Sequence, residues 1–197
     1  MPWPDPVSLH GEIVSVVPLD QSHCYALQQA AADGELYKLW YTNVPTPDGM
    51  ADEIDRRLSL KAMESMLPFA IIDKASNKAV GMTTYMDIDA ASKRLEIGST
   101  WYRKSVQRSG LNTECKLLLL THAFEVLDCI AVEFRTHFMN RQSRNGIERL
   151  GAKLDGILRS HRVMKNGTLR DTAVYSIIAG EWPAVKANLT WEMEKPR

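Results

Sequence analysis

The sequence predicts an α/β fold built on a predominantly antiparallel sheet. Three observations carry that reading. The hydrophobic period switches repeatedly between about 3.6 residues and 2. The segments run strand, two helices, three strands, helix, strand, helix, a strand pair and a last helix, so the two classes mix. Short polar connections join neighbouring strands. At 197 residues and 45% hydrophobic content, the chain has material for one substantial domain and its core.

The first ten residues read as an extended arm braced by Pro2, Pro4 and Pro6. Glu12 to Pro18 alternates like a strand, with Ile13 and Val17 apolar. Asp20 caps a helix running to about Ala32, and Asp48 to Met63 is a second helix. Between them lies a Pro-rich loop from Trp40 to Pro47 with two aromatics. Leu67 to Asp73 and Ala79 to Met86 are apolar strands, joined by the hairpin-like Lys74 to Lys78. In the strand Leu95 to Tyr102, simple alternation puts Leu95, Ile97, Ser99 and Trp101 on one face. Glu96, Gly98, Thr100 and Tyr102 take the other. From Gly110, the residues Leu111, Cys115, Leu118, Leu119, Ala123, Val126 and Leu127 recur at helical spacing. Val132, Phe134, Thr136 and Phe138 alternate with Glu133, Arg135 and His137 as a further strand. Asn140 to Leu150 is a shorter helix that Gly151 stops. Asn166-Gly167 marks a hairpin, and Glu181 to Glu194 is a helix with Pro183 in its first turn.

Composition removes several function classes. The 24 basic and 24 acidic residues cancel, whereas a nucleic-acid binder shows a basic excess. Local clusters exist: Arg103, Lys104, Arg108 and Lys116 form one, and Arg141, Arg144 and Arg149 another. Cys24, Cys115 and Cys129 have neither metal-knuckle nor redox spacing, and Cys115 falls on a helix's apolar stripe. The histidines form no close pair with carboxylates, so no metal is expected. The N-terminus lacks a basic n-region and an apolar h-region, and no apolar run reaches membrane-spanning length. A cytoplasmic protein without membrane partners is expected.

The stretch Gln107-Arg108-Ser109-Gly110-Leu111-Asn112-Thr113 lies between a strand and a long apolar helix. A glycine turn feeding a helix N-terminus presents bare amides and a favourable dipole to an anion. It lacks the Walker lysine, the three glycines of a dinucleotide fingerprint and a serine elbow. A plain turn glycine, or a nucleotide site, is compatible with these residues alone.

Gln107-x-x-Gly110-x-Asn112 resembles the pyrophosphate loop of the GNAT superfamily of acyl-CoA-dependent N-acetyltransferases, with Asn112 where a small residue is usual. Thr113-Glu114, the helix end His122 to Glu125, Asn140-x-x-Ser143 with Leu150-Gly151-Ala152, and Glu181-Trp182-Pro183 resemble its RimJ/RimL-like branch. The likeness covers the chain from about Ile13 onward. It implies one domain over 1–197, with a sheet of about seven strands whose fourth and fifth splay around the coenzyme. It implies an N-acetyltransferase moving an acetyl group from acetyl-CoA to a primary amine by direct attack in a ternary complex. The acceptor would be a protein N-terminus or a small amine or amino acid, and a homodimer is compatible with it. A non-catalytic CoA or acyl-CoA sensor is the alternative, since Ile147 occupies the family's usual tyrosine position.

The resemblance assigns coenzyme contacts to Thr100, Trp101, Tyr102, Gln107, Arg108, Ser109, Gly110, Leu111, Asn112, Thr113, Asn140, Arg144 and Arg149. It makes Glu96 the base and Ser143 the acid. Trp40, Tyr41 and Arg159 are candidates for the acceptor side. Each has a plainer reading: Glu96 as an ion-paired strand residue, Ser143 as a surface hydroxyl, Asn140 as a helix cap, Arg159 as a salt-bridge partner.

Overall fold

The computed structural model describes residues 3–195, so Met1 and Pro2 of the expected arm lie outside the described residues. Its strands are β1 (Leu9–His10), β2 (Val14–Pro18), β3 (Met66–Asp73), β4 (Lys78–Asp89), β5 (Arg94–Tyr102), β6 (Ala131–His137), β7 (Lys153–Val163) and β8 (Leu169–Ile178). Its helices are α1 (Cys24–Ala32), α2 (Met50–Ala62), α3 (Leu111–Thr121), α4 (Arg141–Arg149) and α5 (Trp182–Glu194). The eight-stranded sheet has the order β1-β2-β3-β4-β5-β6-β8-β7. All neighbours are antiparallel except β5 and β6. The strand beyond the expected seven is the two-residue β1, too short to carry a period.

Local chemistry sets the element ends. Asp20 accepts the Ser22 N–H at 2.8 Å and opens a 3₁₀ turn that runs into α1. Asn140 caps α4 by accepting the Ser143 N–H at 3.0 Å. Gly151 ends that helix at φ +95°, a left-handed position that favours glycine. The α-helical part of α3 stops at Thr121, short of the expected Leu127, and a π turn spans His122–Val126. There the Tyr85 hydroxyl donates to the Leu119 carbonyl at 2.6 Å, an intrusion into the helical ladder of the kind that opens such turns.

Two apolar layers cover the sheet. On one face Leu95, Ile97, Val132, Phe134 and Tyr175 pack with α3, α4 and α5 through Leu119, Ile147 and Leu189. On the other face Ala70, Met82 and Trp101 pack with α1 and α2 through Leu27 and Ile54. Cys115 is fully buried in the first layer, as its stripe position implied. Glu114 is also buried, and its carboxylate accepts the N–H groups of Glu12, Ile13 and Val14 at 2.8, 2.9 and 2.8 Å. It clamps the start of β2 to α3.

No helix among the described residues is long and apolar enough to cross a membrane.

Candidate functional site

The parallel pair β5/β6 bonds only through Arg94↔Ala131, Leu95↔Val132 and Glu96↔Glu133. Beyond Glu96 the strands part, although β5 continues to Tyr102 and β6 to His137. The parting coincides with a bulge. On β4, Met82 pairs with Trp101 and Thr84 with Gly98, which leaves Ser99 and Thr100 opposite Thr83. Ser99 has φ +49°. The extra residue swaps faces, so Trp101 joins the α1/α2 layer while Leu95, Ile97 and Tyr102 stay on the α3 side. The expected common face of Leu95, Ile97, Ser99 and Trp101 is therefore corrected: alternation fails at the bulge. Buried Arg57 of α2 pins this bulge, donating to Thr84 Oγ1 at 2.8 Å and to the Ser99 carbonyl at 3.3 Å.

Past the bulge, the Arg103 N–H bonds back to the Val80 carbonyl at 2.8 Å. Strand alternation then turns the N–H and C=O of Tyr102 toward the parted side. Gln107 already uses that carbonyl, donating to it from Nε2 at 3.0 Å, and its Oε1 accepts from Gln142 at 3.3 Å. Gln107 thus braces the turn against β5 and α4. The Thr100 hydroxyl bonds Thr83 Oγ1 at 2.8 Å and accepts from Lys116 Nζ at 2.8 Å. Lys116 is buried beneath β5 rather than exposed at the turn, and burial pushes its pKa down to about 8.

The turn delivers the chain into α3. Arg108, not Gly110, supplies the left-handed residue, at φ +63°. Gly110 sits at helical φ −67° as the residue before α3. The Glu114 N–H donates to the Gly110 carbonyl at 3.0 Å, so the N–H groups before it have no helical acceptor. The Leu111 N–H reaches Ser109 Oγ at 3.3 Å, and that hydroxyl donates to the Val106 carbonyl at 2.7 Å. Arg149 of α4 comes to the same mouth, donating to Thr113 Oγ1 at 3.0 Å. Bare amides and a guanidinium at a helix N-terminus fit a diphosphate. A cavity of about 550 Å³ borders the same turn through Ser109 and Leu111, with Glu12 and Asp73 opposing an anion in its wall and Lys74 offsetting one of them.

Glu96 is 5% exposed on the face opposite Leu95 and Ile97. Desolvation, then the Asp87 charge, push its pKa up to about 8, while Arg135 at 3.7 Å pulls the other way. A Cβ on Gly98 would meet Glu96 Oε1 at 2.5 Å, so the glycine leaves room for the carboxyl. Ser143 lies one turn before Ile147 on α4, and Ile147 is buried in the α3-side layer. Glu96 and Ser143 therefore stand on opposite faces of the sheet.

A parted parallel pair, a bulge at the parting and a bare helix mouth beside it form one constellation. The acetyltransferase (GNAT) domain family matches residues 14–153. The chain belongs to this family. It is 34% identical to the solved structure of a GCN5-related N-acetyltransferase from Brucella melitensis, with TM-score 0.83 and coverage of 96% of this chain and 87% of that one. Over 106 residues it is 31% identical to a protein of Bacillus subtilis (strain 168) named "Putative ribosomal N-acetyltransferase YdaF". That match covers 54% of this chain and 57% of the relative, so it spans little more than half of that protein's length. The fold also matches that of RimL, a ribosomal L7/L12 alpha-N-protein acetyltransferase in complex with coenzyme A, at TM-score 0.74 and 19% identity, over 87% of this chain and 98% of that one.

The GNAT framework gathers some of the expected residues and engages others elsewhere. Asn140 spends its carboxamide oxygen on the α4 cap. Arg144 donates to the Tyr175 hydroxyl at 2.8 Å and lies 4.7 Å over the Phe138 ring, so it braces α4. Arg159 is exposed and pairs with Asp171 at 2.7 Å. Asn112 is half-buried in the first turn of α3. Trp40 and Tyr41 stand against His137, at 5.1 and 6.5 Å between ring centroids. Sequence reasoning did not single out Asp87, Arg135, His137 or Arg57. The alternation Glu133, Arg135, His137 was legible, and a parallel register to Glu96 places these side chains on its face. Arg57 carried no signal, because arginine on a charged helix usually faces solvent.

Proposed function

We propose that the protein transfers an acetyl group from acetyl-CoA to a primary amine by direct attack in a ternary complex. The observation that carries this is the parting of β5 from β6 at a bulge, beside a helix mouth with unused amides. The residue pattern and the B. subtilis relative support an enzyme of RimJ/RimL type, with a protein N-terminus or a small amine as acceptor. Arg108 to Thr113 and Arg149 hold the phosphates, and the open edge of β5 at Thr100 to Tyr102 holds the pantetheine arm. Acetyl-CoA supplies the thioester and a thiolate leaving group.

The chain's own residues manage the protons. An α-amino group with pKa about 8 needs a base to attack at neutral pH. Glu96, raised to about 8, is matched to that proton. The Tyr102 N–H on the parted side is a fixed donor for a carbonyl oxygen. Ser143 Oγ, approaching from the other face, holds a proton for the departing sulfur.

Thiol release measured with acetyl-CoA and a panel of amines tests the reading, alongside calorimetric CoA binding. Turnover with at least one amine is expected. Tight CoA binding with no thiol from any amine, and unchanged binding in Glu96→Gln, would instead identify a CoA sensor.

A further inference from the structure

Beside Glu96 the fold leaves two polar groups unspent. His137 ends β6 on the Glu96 face and is 4% exposed. Its Nδ1 accepts the Met139 N–H at 3.1 Å, so the neutral ring carries its proton on Nε2. That Nε2 is buried and has no hydrogen-bond partner among the described residues. Native proteins keep few such orphans, and each calls for an explanation. The rings of Trp40 and Tyr41, on the loop between α1 and α2, stand edge-on to His137.

The second group is Arg170. Thr172 pairs with His137 across β6 and β8, and Arg170 lies two residues before it on the same face. Its Nε donates to Thr172 Oγ1 at 2.9 Å. Its guanidinium forms no ion pair among the described residues. The adjacent Asp171 alternates to the other side and binds Arg159 at 2.7 Å and the Ser160 N–H at 2.7 Å. Arg162, the cross-strand neighbour, adds positive charge. Burial and then the Arg170 charge hold the His137 pKa below its ordinary 6.5 against the opposing pull of the Asp171 charge, which keeps the ring a neutral donor at neutral pH. Burial and then the Arg162 charge push the Arg170 pKa down from its ordinary value, and the Glu96 charge opposes them, so base and cation feel one another.

We propose that His137 and Arg170 anchor the acceptor, and that the acceptor is a small primary amine that also carries a carboxylate. Its carboxylate accepts from the Arg170 guanidinium and the His137 Nε2–H. Its hydrocarbon body lies against Trp40 and Tyr41, and its amine faces Glu96. A neutral amide or peptide carbonyl can accept from His137 but leaves Arg170 unpaired. This assignment rests on the acetyl-transfer reading and narrows its acceptor.

The test compares amino acids with their C-terminal amides, phenylalanine with phenylalaninamide and leucine with leucinamide. Thiol release is expressed per free amine, because the amide lowers the amine's own pKa. Equilibrium binding of each pair is read calorimetrically with and without CoA. The free carboxylates should be favoured roughly ten- to hundredfold in kcat/KM, the worth of a charge-assisted pair. Arg170→Gln should bring the carboxylates down to the level of their amides within the same variant, and Arg170→Lys should restore part of the preference. His137→Phe keeps the ring against Trp40 and should weaken carboxylate binding without removing the preference. Equal use of both partners, a preference that survives Arg170→Gln, or faster turnover of N-terminal peptides than of any free amino acid would overturn the proposal. If no amine releases thiol, the acetyl-transfer reading falls. Arg170-dependent, carboxylate-selective binding would still uphold this site, and its absence would overturn it.

Discussion

Replacing Glu96 by glutamine separates the electrostatics of the site from its shape. The carboxyl is 5% exposed, and burial with the Asp87 charge raises its pKa from an ordinary 4.5 to about 8. Between those values the unfolded chain has released the proton and the folded chain keeps it. Folding therefore binds a proton, and stability falls as pH rises from about 4.5 to about 8. The gap of 8 − 4.5 converts at 1.36 kcal/mol per pH unit to a ceiling of about 5 kcal/mol. The charges of Asp87, Arg135 and Glu133 act on Glu96 and can rearrange as it ionises, so the observed loss should lie below that ceiling. Glutamine is nearly isosteric and has no proton to lose, so this part of the pH dependence should vanish in Glu96→Gln.

Urea unfolding of wild type and variant at steps from pH 5 to 9 measures the difference directly. The same rise in pH that weakens the fold ionises the base, so wild-type kcat/KM should climb to a plateau above pH 8, and the glutamine variant should lose turnover throughout. Lys116 titrates near 8 as well, with the opposite sign: its depressed pKa makes stability rise between about 8 and 10.5. A Lys116→Met variant that keeps the wild-type rate profile assigns the rise to Glu96. Identical stability slopes in wild type and Glu96→Gln would refute the burial argument, and full turnover in that variant would refute the base assignment.

Gly110→Glu meets no backbone strain at φ −67°, but the position is buried, so far-UV circular dichroism must first show a folded variant; it should abolish CoA binding by placing a carboxylate among the phosphate-facing amides. Calorimetry with CoA reads it, and near-wild-type affinity would remove the coenzyme from the α3 mouth. Ser143→Ala should lower kcat several-fold with little change in CoA affinity; equal kcat would take the serine out of proton transfer. Arg57→Met should reduce kcat more than it raises KM, since Arg57 holds the bulge at Thr84 and Ser99 and touches neither cleft nor turn. Unchanged turnover in a folded Arg57→Met protein would show that the bulge stands without it. Glu114→Ala strips three N–H groups of a charged acceptor and should cost about 2–4 kcal/mol in urea unfolding; a loss within experimental error would contradict the clamp.

Much of the fold was legible because its signals are local. Periodicity placed α3 and the central strands, the Asn166-Gly167 turn marked the β7/β8 hairpin, Pro183 marked α5, and the caps Asp20, Asn140 and Gly151 marked helix ends. The helix mouth was legible for the same reason: a turn, a glycine and an apolar stripe are contiguous in the chain. The bulge at Ser99 was not, because it is a relation between β4 and β5 and leaves no mark on the hydrophobic alternation of β5 alone. Missing it put Trp101 on the wrong face. Arg170 and His137 stayed hidden because only the pairing of β6 with β8 makes them neighbours. Lys116 resembled a basic residue beside an anion site until its helical phase turned it inward to Thr83 and Thr100.

The single extra residue on β5 connects the two halves of the proposed chemistry. Before the bulge, even positions point to the α1/α2 face, which sends Glu96 to the side of Arg135, His137 and the aromatic loop. After it, the phase inverts, and Thr100 and Tyr102 turn to the α3 side. An unbulged strand would leave Trp101 on the α3 side and carry Thr100 away from Lys116. The base would then share its face with the residues that close onto α3, and acceptor and thioester would approach from one direction. In the proposed reaction the bulge lets the amine add to the thioester carbonyl from the Glu96 face, and the tetrahedral intermediate then collapses by expelling the sulfur toward Ser143 on the other. Arg57, buried on α2 and bonded across the bulge, holds that inversion in place.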